Sequence, residues 1–378
     1  MKKIVYVVGG LVGISGMSKI LCQKINYLAC HANYDIYMIL TEKAGVPWSL
    51  DVNPKVKWIN FDINFDELDT MPTLKKVFFY YLKQRKYKRR FTEYLMKIRP
   101  DITVSALRRE INFINNIKDG SKKIGELHFE RTFYRKYHNK YLPNFINHYI
   151  TKKWTDSLIS NIQKLDRFIV LTHEDYNKWP EIKNKMVIPN FIDEYHGETA
   201  TLENKIAIAA GSYTWVKGYD LLIEAWSIVA KSHPDWTLNI FGPGEKRTYE
   251  ESILKKGLEK QIICNPPTHQ INEKYRESSL FVFSSRHEGF GLVIAEAMSV
   301  GLPVVSFACP CGPSDIITHE KDGLLIENGN IQKLAEGICY MIENQSIRQK
   351  MGKQAYQKAQ KFYPNEIMSQ WIELFESL

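Results

Sequence analysis

One block of the sequence, residues 280–303, constrains the fold more than any other stretch. It begins with the apolar run from Leu280 to Phe283, which predicts a buried parallel strand. A polar loop with two glycines follows, and apolar residues at helical spacing then continue until Gly301 and Pro303 end the helix. The block is therefore a strand, a tight turn and a helix in succession, which is the repeating unit of a parallel α/β sheet.

The turn in this block carries the residues that point to a ligand. Glu288, Gly289 and Gly291 lie where backbone N–H groups and the positive end of a helix dipole leave the sheet, which suits a phosphate. Glu296 lies on the helix that follows, where a carboxylate can accept paired hydrogen bonds from the vicinal hydroxyls of a ribose. Glu288 can do the same for a sugar. A surface βα turn would explain Gly-x-Gly alone, but two acids that frame the turn favour a binding site.

The residues Ser284 to Pro303 resemble the Glu-x7-Glu signature of retaining glycosyltransferases of the GT-B fold. The resemblance covers most of the C-terminal half of the chain and is weaker in the N-terminal half. It implies an α/β protein in which two Rossmann-like parallel-sheet domains face each other across a cleft. It also implies that Glu288 orients the donor sugar and that Glu296 holds the ribose. The residues expected to bind the donor are Gly16, Gly211, Lys217, Gly289, Phe290, Gly291, Leu292, Val293 and Glu296.

The chain of 378 residues is long enough for two domains of ordinary size. We expect an acceptor-side domain over residues 1–194 and a nucleotide-sugar domain over 195–362, joined by a polar linker. A final helix over 363–378 carries apolar residues on one side, and the resemblance implies that it crosses back to the first domain. No apolar run reaches about 18 residues, so no membrane span is predicted.

In the first half of the chain, strands are predicted over 4–8, 35–40, 102–106, 122–126 and 167–171, with helices over 17–30 and 74–99. The loop after the first strand contains Gly9, Gly10, Gly13 and Gly16, so its backbone can approach a phosphate or a sugar. The spacing is not that of a dinucleotide fingerprint. In the resembled family this loop lies near the donor phosphates and the acceptor, and Ser15 and Gly16 stand where many relatives have a Gly-Gly pair.

His128 follows the predicted strand over 122–126. A lone histidine is more often structural than catalytic, but open α/β sheets bind their ligands at the carboxyl ends of the strands. The resemblance implies that a histidine at this point contacts the donor sugar. We therefore take His128, with Glu288, as a candidate catalytic residue.

In the second half, strands are predicted over 206–209, 237–241, 280–283, 304–307 and 324–326, with helices over 219–230, 292–299 and 330–362. Lys217 lies in the loop after the first of these strands, where its ammonium can bind a diphosphate, and the loop matches the family pattern Gly-x5-Lys-Gly. Many relatives carry an arginine directly after the first glycine, where this chain has Ser212. Arg286 is a candidate for the missing phosphate clamp.

The charge is unevenly distributed along the chain. Residues 1–195 contain 33 Lys and Arg against 20 Asp and Glu, a net charge of +13, whereas the remainder carries −4. Residues 74–99 contain ten of the cations and only one acid, interleaved with Phe and Tyr. A solvated helix with one buried face explains this segment, and so does docking on an anionic membrane surface. Nucleic acid is a weaker alternative, because no nucleic-acid-binding motif accompanies the charge.

These features predict transfer of a sugar from a nucleotide donor. The resemblance implies that UDP is the preferred nucleotide and that the acceptor is a glycan or is linked to polyprenyl diphosphate, in surface-polysaccharide synthesis. The resemblance implies retention of the anomeric configuration. No metal or other cofactor is required, because Lys217, the backbone of 289–293 and a helix dipole can neutralise a leaving diphosphate. The six cysteines have no disulfide or zinc spacing, which fits a cytoplasmic protein. We expect it to lie peripherally on the inner face of the cytoplasmic membrane.

Two other functions share the donor site. A GT-B epimerase that acts on a UDP-sugar needs acid and base residues that the sequence does not identify. A non-catalytic nucleotide-sugar sensor would keep the donor site without turnover, and Ser212 in place of the arginine is the feature that favours it. Trapping of sugar transfer to an acceptor or to water separates both from a transferase.

Overall fold

The computed structural model of the chain describes residues 1–12, 16–132, 134 and 143–378, with only the backbone described at Thr73 and Leu74. The chain divides into two compact units. The first unit contains residues 1–171, 176–188 and 368–378, and the second contains residues 172–175 and 189–367. The main division falls after Ile188, because Phe191 and Ile192 are buried in the second unit, where the Ile192 N–H donates to the Phe362 carbonyl.

In the described part of the first unit, seven parallel strands form one sheet in the order β3-β2-β1-β4-β5-β6-β7. The central strands are buried on both faces, as their apolar sequences require in a parallel sheet covered by helices. The strands are β1 Lys2–Val7, β2 Tyr34–Leu40, β3 Lys57–Asn60, β4 Ile102–Ser105, β5 Lys122–Glu126, β6 Arg167–Val170 and β7 Lys185–Val187.

Helices connect these strands and cover the sheet. The long helix α2 is buried along one stripe, where Tyr87, Phe91 and Leu95 recur every four residues and pack into the core of the first unit. The helices up to the start of the second sheet are α1 Gly16–His31, α2 Thr73–Ile98, α3 Asn144–Ile162 and α4 His173–Asn177.

In the second unit, the described strands form a six-stranded parallel sheet in the order β10-β9-β8-β11-β12-β13. Its core includes the fully buried Trp226 of α5. The strands are β8 Ile206–Ala210, β9 Thr237–Phe241, β10 Ile262–Asn265, β11 Leu280–Phe283, β12 Val304–Phe307 and β13 Gly323–Ile326. The helices are α5 Tyr219–Ser232, α6 Arg247–Lys255, α7 Ile271–Arg276, α8 Leu292–Ser299, α9 Pro313–Ile316, α10 Ile331–Glu343, α11 Gln345–Ala359 and α12 Pro364–Ser377.

Three elements of the first unit were not predicted, and each lacks the pattern that sequence analysis uses. Strands β3 and β7 are short and contain no continuous apolar run, because none of their residues is fully buried and burial does not require one. Helix α3 buries only Asn147, Leu158 and Ile162 among its described side chains, so it has no continuous apolar stripe.

The last helix, α12, begins in the second unit, but its residues from Met368 onward belong to the first. Trp371 and Phe375 of this helix are fully buried. Lys2 of β1 donates to the Phe375 carbonyl at 2.7 Å, and the Tyr34 hydroxyl donates to Glu376 at 2.6 Å. The end of the chain thus packs against its beginning. None of the described helices is long and apolar enough to cross a membrane.

Candidate functional site

The strand order of the second sheet brings two distant loops together. Strand β8 lies between β9 and β11. The chain continues from β8 to β9 on one side, and the next strand on the other side is β11, so the strand order reverses between β8 and β11. Ligands of open α/β sheets bind at such a switch point, outside the carboxyl ends of the strands. The loop after β8 contains Lys217 and the loop after β11 contains Glu288, and the side chains of these two predicted site residues meet here.

Lys217 and Glu288 form an ion pair. The distance from Lys217 Nζ to Glu288 Oε1 is 2.6 Å, and the two side chains are 20% and 13% exposed. A partly buried, charge-assisted hydrogen bond of this length holds both groups in fixed positions. The sequence predicted a phosphate ligand for Lys217 and a sugar ligand for Glu288, but in this structure each group has the other as its partner.

Backbone contacts hold the two loops side by side. The Arg286 N–H donates to the Val216 carbonyl at 2.8 Å, and the Ser284 hydroxyl donates to the Lys217 carbonyl at 2.9 Å. Gly218 has a φ of 62°, and a Cβ there would lie 2.1 Å from the Ser284 carbonyl oxygen. Only glycine fits this position, so the glycine after Lys217 is needed for the two loops to meet.

Gly211 and Gly242 make a second close approach of backbones at this edge of the sheet. A Cβ on Gly242 would lie 1.8 Å from the Gly211 carbonyl oxygen. The Tyr219 hydroxyl donates to the same carbonyl at 2.9 Å. Gly211, which is predicted to bind the donor, therefore shapes this edge of the sheet through its backbone.

The predicted turn over 289–293 leads directly into α8. Gly291 precedes the helix in the left-handed conformation, with a φ of 94°, and Phe290 is buried against Phe362. The N–H groups of Leu292 and Val293 belong to the first turn of the helix, where a helix has no acceptors of its own. This part of the turn can therefore present N–H groups to an anion, as predicted.

Glu296 lies farther along α8 and is half-buried. Its charge adds to burial, the main cause, in raising the pKa of Tyr275 far above the usual value, so the two side chains are near each other. The Tyr275 hydroxyl is buried with no hydrogen-bond partner among the described residues. Tyr275 was missed by the sequence analysis, because nothing near it in the chain marks it as a neighbour of Glu296.

Arg286, the predicted phosphate clamp, is engaged elsewhere. Its guanidinium binds both oxygens of Asp220 at 2.9 and 2.6 Å and lies 4.5 Å from the centre of the Trp215 ring. The ion pair with Arg286 lowers the pKa of Asp220. Arg286 also donates to the Trp215 carbonyl at 2.6 Å, so three of its five N–H groups already have acceptors. No short-range pattern links Arg286 to Asp220.

In the first unit, the predicted His128 belongs to a buried polar cluster. Its Nε2 lies 3.3 Å from Glu126 Oε1, and the same carboxylate pairs with Lys24, whose ammonium is 3.9 Å from the centre of the Trp371 ring. Burial, opposed by Glu126 and assisted by the charges of Lys24 and Arg108, lowers the pKa of His128 to about 4. The imidazole is therefore neutral at pH 7.

Lys24 was also missed by the sequence analysis, although a signal existed. It lies on the same stripe of α1 as the buried Ile20 and Leu28, and a lysine within an apolar stripe requires a buried partner. The predicted Gly16 is exposed at the start of α1. Gly13 and Ser15, which belong to the same predicted loop, lie outside the described residues.

Comparison with known proteins identifies the segment that holds the Lys217–Glu288 pair. Residues 192–358 match the profile of the family glycosyl transferases group 1. This group 1 segment contains Lys217, Glu288 and Glu296, and it does not include Gly16 or His128. The matched segment therefore covers the candidate site of the second unit and no residue of the first unit.

Two curated proteins are similar to the chain over part of their length. An uncharacterized glycosyltransferase of Haemophilus influenzae is 30% identical over 212 residues, which are 54% of this chain and 60% of that protein. A poly(ribitol-phosphate) alpha-N-acetylglucosaminyltransferase of Staphylococcus aureus is 30% identical over 245 residues, which are 64% of this chain and 50% of that protein. The chain thus spans about half of the length of these relatives.

A solved structure is similar over nearly the whole chain. It is a mutant of TarM from S. aureus in complex with fondaparinux, alpha-GlcNAc-glycerol and UDP. The TM-score is 0.76 at 19% identity, over 99% of this chain and 100% of that one. Together with the two parallel sheets, this similarity confirms the predicted fold class, an α/β protein with two Rossmann-like domains of the GT-B fold.

Proposed function

We propose that the protein is a retaining glycosyltransferase that moves a sugar from a UDP-linked donor to a hydroxyl of a surface-polysaccharide acceptor. The observation that carries the proposal is the Lys217–Glu288 pair at the switch point of the second sheet, inside the group 1 segment. UDP is the preferred nucleotide because the similar TarM structure contains it. A polysaccharide acceptor is supported by the similar S. aureus enzyme, whose name specifies poly(ribitol-phosphate).

The ion pair suits a site that exchanges partners when the donor binds. A diphosphate that reaches Lys217 replaces the carboxylate as the partner of the ammonium, because it carries more negative charge. Glu288 is then released to accept hydrogen bonds from the sugar hydroxyls. In the Lys217–Glu288 pair each charge keeps the other neutralised, so neither is left as an uncompensated, partly buried ion.

In the reaction, the bond between the anomeric carbon and the phosphate oxygen breaks while the acceptor oxygen bonds to the same face of that carbon. The acceptor proton passes to the departing phosphate oxygen, so no separate base is needed. Negative charge grows on the diphosphate in this step, next to Lys217 and the N–H groups of 289–293. Because these groups supply the neutralising charge, we propose that the reaction needs no metal.

The test is a panel of UDP- and GDP-sugars, each assayed for binding by calorimetry and for hydrolysis or transfer. We expect one UDP-sugar to bind and turn over in the presence of EDTA, and NMR of the product to show the anomeric configuration of the donor. An inverted product would contradict retention, and full loss of turnover in EDTA would contradict the metal-free mechanism. Formation of an epimer of the donor would identify an epimerase, and binding without turnover would identify a sensor.

We also propose that helix α2 places the protein on an anionic membrane surface. Residues 77–82 of this helix all expose large apolar side chains, with Val77, Phe78 and Tyr81 each about 60% exposed. Arg85 and Lys88 are exposed on the next turns. Aromatic rings at headgroup depth, followed by cations, are a combination that binds anionic lipid without a spanning helix. A lipid-linked acceptor would be reached from such a surface.

A further inference from the structure

The first sheet has a switch point of its own. Strand β1 lies between β2 and β4, so the crevice at the carboxyl edge falls between the loops after β1 and β4. Gly9 lies in the first of these loops, and Arg108 and Arg109 lie in the second. The two loops line a small cavity together with Thr41. In the second sheet the equivalent position holds Lys217 and Glu288, and in the first sheet it holds two arginines.

Arg108 lies directly against the glycine loop. A Cβ on Gly9 would be 2.7 Å from Arg108 Nη1, so only a residue without a side chain leaves room for the guanidinium. Arg108 also acts on His128: burial is the main cause of the lowered pKa of that imidazole, Glu126 opposes the shift, and the charges of Lys24 and Arg108 add to it. The guanidinium therefore reaches the position where the sheet order predicts a ligand.

Arg109 presents its side chain in a fixed orientation next to Arg108. Its guanidinium lies 4.2 Å from the centre of the Phe65 ring. A guanidinium that lies over an aromatic ring can still donate hydrogen bonds from its edge, which suits a phosphate.

A network within the second loop holds both arginines in place. Leu107 is fully buried in the left-handed conformation, with a φ of 55°, which is unfavourable for a residue with a side chain. Its N–H donates to Ser105 Oγ at 3.0 Å. Glu110 is buried and accepts hydrogen bonds from the Arg108 N–H at 3.0 Å and from Ser105 Oγ at 2.7 Å. The backbone that directs the arginines is thus fixed before any ligand binds.

The two acids at this edge have roles within the fold. Glu110 also accepts a hydrogen bond from the Tyr87 hydroxyl at 3.3 Å. Glu42 accepts hydrogen bonds from Thr41 and from the Asp66 N–H, and burial raises its pKa. Both carboxylates therefore hold groups of the loops in place, the charge of Arg109 acts on Glu42, and both arginines line the cavity.

We propose that Arg108 and Arg109 bind a phosphate ester of the acceptor at the switch point of the first sheet. This inference rests on the proposed function only in taking the ligand to be the acceptor. The shared chemistry is a phosphate oxyanion, which can come from a phosphodiester in a polymer or from the diphosphate of a lipid carrier. The two sources are separated by the experiment.

The experiment measures binding to the full-length protein by calorimetry, at low and high salt. The probes are glycerophosphoglycerol for the phosphodiester and farnesyl diphosphate for the carrier, with glycerol as the uncharged control. We expect one phosphate ester to bind, and each of Arg108→Gln and Arg109→Gln to weaken it about tenfold or more, because each removes charged hydrogen bonds. Lys164→Gln, which removes an exposed cation of the first unit, is expected to leave binding unchanged.

A second variant tests the geometry without removing a charge. In Gly9→Ala the new methyl group collides only with the flexible end of Arg108, so the fold is retained and the guanidinium is displaced. We expect weakened binding of the same phosphate ester. Lys164→Gln is again the control.

UDP binding distinguishes this inference from the proposed function. Normal UDP affinity with no phosphate-ester binding, or with ester binding that the arginine variants do not change, would overturn the inference and leave the donor site intact. Equal loss of UDP affinity in the arginine variants would assign them to the donor and overturn the acceptor role. Ester binding that depends on both arginines, in a protein that binds no nucleotide, would support this site while contradicting the proposed transferase.

Discussion

At the scale of single residues, the central feature is that the charged side chains of the candidate site satisfy one another. Lys217 pairs with Glu288, and Arg286 pairs with Asp220. A partly buried charge without a partner is costly, so each pair removes a cost that either charge alone would carry. The side chain of Lys217 is paired with the predicted sugar ligand Glu288, whereas that of Arg286 is held by Asp220 of α5. We therefore propose phosphate binding for Lys217 and a positioning role for Arg286.

Lys217→Ala should reduce kcat on the order of a hundredfold or more, because the diphosphate gains charge as the glycosidic bond breaks. The measurement is steady-state turnover of the preferred UDP-sugar. Lys231→Ala, an exposed lysine of α5, is the control and should have no effect. Near-normal turnover of the Lys217 variant would show that the phosphates bind elsewhere.

Glu296→Ala should weaken UDP binding roughly tenfold or more, because it removes two hydrogen bonds to a charged acceptor. A sharper measurement is a thermodynamic cycle that compares the affinities of the unaltered protein and the variant for UDP and for 2′-deoxy-UDP, which lacks one of the two ribose hydroxyls. If Glu296 holds the ribose, the loss caused by the variant shrinks when 2′-deoxy-UDP is the ligand. Equal losses for both ligands would contradict this role, and Glu336→Ala on the exposed face of α10 serves as the control.

His128 should remain neutral down to about pH 4, well below the usual range near 6.5. The unfolded chain takes up a proton at this histidine between those two pH values, whereas the folded protein does not. The contribution of His128 to stability is therefore full above about pH 6.5 and is lost as the pH falls toward 4. NMR titration of the imidazole checks the pKa. A transition near pH 6.5 in the folded protein would refute the buried, neutral state.

At the scale of elements, helix α2 has two different halves. Its C-terminal half packs into the core through Tyr87, Phe91 and Leu95, while its N-terminal half exposes apolar side chains. Some of its cations stabilise the fold: Lys83 donates to the Asn64 carbonyl at 2.8 Å, and Arg90 donates to the Phe61 carbonyl. A test of membrane binding must therefore leave Lys83 and Arg90 in place.

Replacing Phe78 and Tyr81 with serine and Arg85 and Lys88 with glutamine should abolish sedimentation with anionic vesicles. Each cation near such a surface contributes about 1 kcal/mol, and the aromatic rings add apolar burial. Binding by the unaltered protein should fall at high salt. The matched control is Lys350→Gln with Lys353→Gln, two exposed lysines of the second unit. Equal recovery with neutral and anionic vesicles would contradict the membrane role of α2.

At the scale of the whole molecule, the last residues of the chain complete the core of the first unit. Trp371 is fully buried and faces Lys24, whose carboxylate partner Glu126 also neighbours His128. The lysine is thus held by a carboxylate and by an aromatic face. The buried cluster around His128, a candidate site residue, therefore includes a side chain of α12.

Trp371→Ala should lower the free energy of unfolding of the first unit by about 3–5 kcal/mol, the usual cost of removing a fully buried large side chain. Loss of the aromatic ring that lies over the buried Lys24 adds to the destabilisation caused by the cavity. The measurement is denaturant unfolding, with amide exchange of β1 as the probe of the first unit. Glu373→Ala, an exposed site on the same helix, is the control. Unchanged protection of the β1 amides would contradict the stabilising role.

The sequence by itself determined the elements around the site and their order. The strand-turn-helix block at 280–299 and the loop between Gly211 and Gly218 were predicted close to their observed bounds. The physical reason is that burial requires a local sequence pattern. A strand covered on both faces has a continuous apolar run, and a helix covered on one face has apolar residues that repeat every 3.6 positions. Elements with few buried side chains, such as β3 and α3, show no such pattern in the sequence.

Only the tertiary structure decided which of the site residues are partners. Lys217 and Glu288 are 71 positions apart, and Arg286 and Asp220 are 66 apart. Lys24 and Glu126 are 102 apart. These contacts depend on strand order, because neighbouring strands in a parallel sheet are separated in the chain by whole helices and loops. Local spacing determines which face of an element is buried, but the sheet order determines which loops meet at its carboxyl edge.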